Sequence, residues 1–286
     1  MKTIPHLELA SLLFAMVVSA APAHAQDPVP TPAKQVFDGD YLTVGAGAAI
    51  GPSYDGSDDY VVFPVVAVQG RLGGIGIAPR PGGVALDFIN DPDDARFSFQ
   101  LGPVARARFD RHQQIRDPAV AALGKRNIAV EVGGNAGFSI NRLTNPYDSL
   151  TFSVDARWDV AKAHRGMVIA PNATFQTPLS KGSFAALSLS AEHVDDDYAR
   201  YYFSVTPADS LASGLPVYAA RSGWKSATIA LLGGLDLDGD LTNGGFAVFA
   251  GATYSRLLGN FKRAPIVSLR GSPDQFVGAI GIGYTF

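Results

Sequence analysis

Leu150-Thr151-Phe152-Ser153-Val154-Asp155-Ala156-Arg157-Trp158-Asp159-Val160 is the stretch that decides the fold. Leu150, Phe152, Val154, Ala156, Trp158 and Val160 take alternate positions, and Thr151, Ser153, Asp155, Arg157 and Asp159 take the others. A helix would scatter these charges round its circumference. A strand puts all of them on one face. The segment predicts a β-strand with one apolar and one polar face.

The pattern recurs outward from there. Phe97, Phe99, Leu101, Ala105, Ala107 and Phe109 alternate with Arg96, Ser98, Gln100, Arg106 and Arg108. Ile128, Val130, Val132, Ala136 and Phe138 alternate with Glu131, Asn135 and Ser139. Twelve such segments are predicted, at 41–50, 59–70, 73–79, 83–90, 95–109, 126–140, 148–161, 166–178, 183–193, 224–237, 244–257 and 274–286. The third and fourth also read as one irregular hairpin, and ten strands is the alternative count. A helical turn or two is predicted only at 117–123. With no repeat and no second zone of composition, residues 40–286 read as one domain.

Composition sets the class. Of 286 residues, 47% are hydrophobic and 17% charged, against about 25% charged in soluble domains. Beyond residue 25 no run approaches the roughly 18 apolar residues of a membrane-spanning helix. That excludes a helical membrane protein, and the apolar content argues against disorder. A net charge of −3 provides no basic field for nucleic acid. The absence of cysteine removes disulfides, thiol catalysis and Cys-ligated zinc.

Most segments match the roughly 9–11 residues of a tilted transmembrane strand. Long connections (51–59, 111–125, 194–223, 258–274) fall on one side and short turns on the other, the asymmetry of an outer-membrane barrel. In hydrocarbon every backbone group needs a partner, so such a sheet closes on itself. Pro64, Pro103 and Pro171 lie inside predicted strands, and each should mark a bulge or a local break. Trp158, Phe109, Tyr254 and Tyr284 fall at girdle positions.

The N-terminus reads as an address. Leu9 to Ala21 is apolar, and Ala23-His24-Ala25 follows as an A-x-A cleavage site. Residues 1–25 are predicted to be a signal peptide, and Gln26–Gly39, with three prolines, an extended leader. The mature chain is expected in the Gram-negative outer membrane, in contact with its lipid. The last segment places Phe276, Ile280, Ile282, Tyr284 and Phe286 on one face. Tyr284 and Phe286 are expected to form the C-terminal signal read by the barrel-assembly machinery.

No residues assemble into a catalytic set, and no metal or cofactor is expected. Ser190 and His193, near Glu192, differ by an odd number and fall on opposite faces of a strand. Asp236, Asp238 and Asp240 lack the Gly and Glu of a calcium loop; Leu241 and Ala247 stand there instead. The lumen row is more informative: Arg96, Arg106, Arg108, Glu131, Asp155, Arg157 and Asp159. It reads either as a salt-bridged interior or as a charged constriction that selects small solutes. Tyr198, Tyr201, Tyr202 and Tyr218 mark the 194–223 loop as a lumenal lid or a partner site.

Several segments together resemble the MipA/OmpV family of MltA-interacting outer-membrane proteins. They are Pro52 to Tyr60 with Phe63-Pro64, Tyr201 to Thr206 with Ser213 to Tyr218, and Tyr254 to Gly259 with Ala264 to Val267, together with the closing Phe276 to Phe286. The resemblance implies a barrel and a scaffolding role beside a murein lytic transglycosylase and a penicillin-binding protein. It also implies porin or adhesin functions as alternatives, and no catalytic motif.

Overall fold

The structure is a computed structural model and describes residues 35–92 and 94–286. The predicted signal peptide and most of the leader lie outside the described residues. Twelve strands form the wall: β1 (Tyr41–Pro52), β2 (Tyr60–Leu72), β3 (Ile75–Arg80), β4 (Gly83–Asp87), β5 (Phe97–Arg108), β6 (Ala129–Asn141), β7 (Ser149–Asp159), β8 (Met167–Ser180), β9 (Ser183–Val194), β10 (Gly223–Asp236), β11 (Gly245–Leu257) and β12 (Asp274–Thr285). Each pairs antiparallel with its neighbours in sequence, and β12 returns to β1 with Ala46 opposite Ile282. The alternation explains the wall. Phe99, Val132, Val154, Leu189, Leu231 and Ile280 point outward and are exposed, while the intervening residues face the lumen.

The prolines occupy gaps in the ladder, as expected of residues without an N–H. At Pro171 the β8–β9 pairing skips Ala170 and Pro171 between the Ile169–His193 and Asn172–Ser190 pairs. Pro103 directly precedes Val104, where the β4–β5 pairing begins. Pro64 is a separate case. Leu42 and Phe286 exchange both backbone hydrogen bonds (2.9 and 3.5 Å), so even-numbered residues of β1 face β12 and odd-numbered ones face β2. By the register Thr43–Gln69, the even-numbered residues of β2 turn their backbone groups towards β3. On that side β3 pairs only with Gly70, Arg71 and Leu72. Pro64 therefore directs its hydrogen-free nitrogen at an unpaired edge.

Four short helices lie in the long loops: α1 (Pro118–Ala122), α2 (Asp196–Phe203), α3 (Pro207–Ser213) and α4 (Pro265–Ser268). α1 falls where a turn was predicted. α2 and α3 correct the reading of 194–223 as a segment without helix. Their signals were in the sequence. Asp195 caps α2, and α3 starts with Thr206-Pro207, carries Asp209 in a capping box and stops at Gly214, which is left-handed at φ 74°. Two turns are too short to register as helical periodicity.

These loops close over one end of the barrel with their own hydrophobic core. Tyr54, Val120, Tyr198, Tyr202, Phe203, Phe261, Ile266 and Val267 are all buried within it. The Phe203 and Phe261 rings meet edge to face at 5.1 Å. The Tyr54 hydroxyl donates to the carbonyls of Ile266 (3.1 Å) and Arg270 (3.0 Å), tying the first long loop to the last. Their backbones touch: a Cβ on Gly271 would collide with the Gly56 carbonyl oxygen.

Candidate functional site

Beneath this cap the lumen is crossed by charge. Glu131, fully buried on β6, receives Arg108 Nε from β5 at 2.7 Å and Arg157 Nε from β7 at 3.1 Å. Arg157 Nη1 also holds Asp155 at 2.8 Å, and Asp155 is reached by Arg80 Nε from β3 at 3.0 Å. Glu192 on β9 accepts from Arg106 (2.9 Å), Arg108 (3.0 Å) and Lys225 Nζ (2.7 Å). Lys225 also meets Asp55 of the first loop at 2.6 Å. Four carboxylates, from Asp55, Glu131, Asp155 and Glu192, are thus shared among five cations, Arg80, Arg106, Arg108, Arg157 and Lys225. The direct pairs join strands up to four apart in the ring, β3 to β7 and β5 to β9, so the network crosses the lumen.

Local structure aims these groups. β5, β6 and β7 supply Arg106, Arg108, Glu131, Asp155 and Arg157 by simple alternation, with Arg106 level with Glu131 in the register. Lys225 needs a bulge. The register shifts between Trp224 and Ser226, which lets buried Lys225 turn inward beside Ser226 while Trp224 stays exposed. His164 joins from the β7–β8 loop. Its Nδ1 accepts the Gly166 N–H (3.0 Å), so Nε2 carries the hydrogen given to Glu131 at 3.3 Å.

The tyrosines of the 194–223 loop roof this network. Tyr198 lies 5.0 Å from the Arg108 guanidinium and 5.5 Å from Lys225 Nζ, both within cation–π reach. Tyr198 and Tyr202 are fully buried, and burial pushes both phenols up in pKa. Tyr201 accepts the Asn127 N–H (2.8 Å), and Tyr218 donates to the Asn260 carbonyl (2.6 Å). These four residues are thus engaged in the cap.

The other sequence-selected residues lie elsewhere. Arg96 is exposed at the turn before β5, where its backbone carbonyl accepts the Asn141 N–H. It takes no part in the lumenal network. Asp159 closes the β7–β8 loop by accepting the Ala161 and Arg165 N–H groups. Tyr284 packs against Phe246 and Phe286 at 4.7 Å each, an aromatic cluster at the short-turn end. Asp236 accepts the N–H groups of Asp238, Gly239 and Asp240 and so shapes a turn. His193 packs edge-on against outward Trp224. Sequence reasoning missed Arg80, Glu192, Lys225, Asp55 and His164 as members of the network. Glu192 was readable only as a polar residue in a strand, Arg80 fell just past the predicted 73–79 segment, and the rest sit in loops or at a bulge.

Two acidic groups beside the network titrate differently. Burial, with the Asp55 charge adding to it, pushes Asp110 up to about 6. For Asp55 burial acts in the same direction, but Lys225 and Arg108 outweigh it and hold the carboxyl below its ordinary value. Asp117 is likewise held low. Burial is outweighed there by Arg270 and the Val120 N–H, which Asp117 accepts at 2.9 Å as the cap of α1. A depressed carboxylate stabilises the fold above its unfolded value near 4 and loses that contribution as pH falls through the folded value. Asp117→Ala is expected to weaken amide protection at Ala121 and Leu123 by about 1–2 kcal/mol at pH 7, from the lost cap and ion pair. Hydrogen exchange should show the difference from wild type narrowing at acid pH.

Below the network the lumen changes character. A cavity of about 1070 Å³ occupies the short-turn half. Its walls include Gly45, Gly47, Val65, Ala67, Phe184, Leu232, Phe249, Gly251 and Ala279. Thr43, Gln69, Gln176, Lys181, Asp236 and Thr285 also line it. Phe37 of the leader is another lining residue, beside the backbone bond from Val36 N–H to Thr242. Small side chains on β1, β2, β11 and β12 leave the space, while long charged ones fill the other half.

The family model described as MltA-interacting protein MipA matches residues 44–286. No curated protein matches the sequence. Among solved structures, the COG4313 outer membrane channel of Pseudomonas putida F1 is 11% identical with a TM-score of 0.45, covering 91% of this chain and 100% of that one. The translocator domain of autotransporter NalP from Neisseria meningitidis is 11% identical with a TM-score of 0.38, covering 87% and 91%. The outer membrane channel DcaP of Acinetobacter baumannii is 10% identical with a TM-score of 0.37, covering 78% of this chain. This chain spans 58% of the DcaP chain's length.

Proposed function

We propose, for a chain that belongs to the MltA-interacting protein MipA family of outer-membrane β-barrels, a role as a sealed, membrane-embedded platform for a cell-wall enzyme. In this reading the long loops are extracellular and the short turns periplasmic. The partner is a lytic transglycosylase of the MltA type, with a penicillin-binding protein alongside it. The observation that carries the reading is the blocked lumen. A constitutive pore needs a continuous hydrated path, and here the extracellular half holds buried ion pairs under a hydrophobic cap. The adhesin alternative has less support, because the loop tyrosines are spent on the cap's interior.

The platform would use the periplasmic rim. The turn between β4 and β5 is the longest there and exposes Phe88 and Ile89 beside Asp91. Apolar residues ringed by acidic ones suit a protein contact. Purified protein immobilised on a column is expected to retain an MltA-type transglycosylase, and Phe88→Ala with Ile89→Ala to release it. Failure to retain the enzyme, together with stepwise conductance in planar bilayers, would favour the porin alternative.

A further inference from the structure

The barrel wall has a gap. β3 pairs with β2 only at Gly70–Leu72 and ends at Arg80, while β2 continues to Tyr60. Above Gln69, the backbone of β2 is ladder-paired to β1 alone among the described residues. Exposure marks the sill. Val68 is 38% exposed, whereas Val66, one step along the same outward row, is 80% exposed. The missing neighbour leaves a window at the level of the lipid-facing row. An open strand edge at membrane depth is tolerated where it lines a cavity whose water can pair its backbone groups.

Such a cavity is present. The periplasmic vestibule is lined by Val65, Val66 and Ala67 from one side of the window and by Pro79 from the other. Its volume, about 1070 Å³, is at the upper end of the roughly 300–1,000 Å³ usual for small-molecule sites. We propose that this vestibule binds the aliphatic chain of a single-chain amphiphile, which enters sideways from the membrane through the window between β2 and β3. Val65, Ala67, Phe184 and Phe249 contact the chain, and Gly45 leaves room for it. Polar Thr43, Gln69 and Gln176 suit the head group. A strand from a second copy is the competing occupant of the edge. Pro64 disfavours it, because its nitrogen removes a donor from the middle of the unpaired row.

Native mass spectrometry of the detergent-solubilised barrel, titrated with palmitate and separately with lysophosphatidylcholine, tests the site. One chain per barrel is expected to bind saturably with at least one of the two, and the pair identifies which head group is accepted. Ala67→Trp fills the vestibule at the window and Gly251→Phe fills it from β11. Each is expected to weaken binding by about tenfold or more, roughly the loss of two methylene contacts. Folding of both variants is read independently from the heat-modifiable gel shift. No saturable adduct with either probe, or unchanged binding in both folded variants, overturns the proposal. Efficient disulfide cross-linking of Val66→Cys barrels to one another also overturns it, by assigning the edge to a second copy. Retention of a transglycosylase is expected to persist in both cavity variants, so the two readings fail separately.

Discussion

Glu131→Gln is expected to destabilise the folded barrel by about 3–5 kcal/mol, the range for removing one partner of a buried ion pair. Glu131 is the shared acceptor of Arg108 and Arg157, and it has no exposure to water. A neutral amide leaves Arg157 with Asp155 and a more distant Glu192, and Arg108 with Glu192 alone. The loss should appear as a lower temperature for conversion of the folded gel band to the unfolded one. Adding Arg157→Met should recover much of the loss, because replacing both members of a buried pair is often near neutral. That recovery is the coupling measured by a double-mutant cycle. Equal melting of Glu131→Gln and wild type would sink the view that these ion pairs hold the lumen shut.

The second large effect concerns conductance. Wild-type protein is expected to be silent in planar bilayers. Val194 and Gly223 are paired across β9 and β10, so an Asn-Gly turn can replace the loop between them without moving either strand. This deletion removes α2, α3 and the roof formed by Tyr198 and Tyr202. It should remain nearly silent, because the charged network persists beneath. Combining it with Glu131→Gln and Arg157→Met removes charge in a balanced way and should produce stepwise openings. Steady conductance by the wild type would refute the sealed lumen. Silence of the folded triple change would place the block elsewhere.

The strand pattern was legible because a barrel wall has two chemically different faces, so period two is written into each segment. The boundaries of β7, β9 and β11 lie within about two residues of the sequence reading for that reason. Inward placement of Arg106, Arg108, Glu131, Asp155 and Arg157 follows from the same parity. Arg96 shares that parity but lies one residue before β5, where the wall has ended and alternation no longer assigns a face. Lys225 was illegible for the opposite reason: a bulge changes the parity that a sequence reader relies on.

What the sequence by itself determined is local and periodic: that the chain is β, which residues of each strand face lipid, where the long loops fall, and which family it joins. Only the tertiary structure decided how the lumen is used. Glu192, Arg80, Asp55 and His164 are separated along the chain, and they meet Arg108, Asp155, Lys225 and Glu131 because the sheet closes and its strands tilt past one another. The window beside β2 likewise depends on pairing between strands, since β3 meets β2 only at Gly70–Leu72 and ends at Arg80. Alternation fixes a side chain's face and says nothing of its height along the barrel. Height is set by pairing between strands, and it separates a charge-filled half under the long loops from an apolar vestibule at the short-turn end.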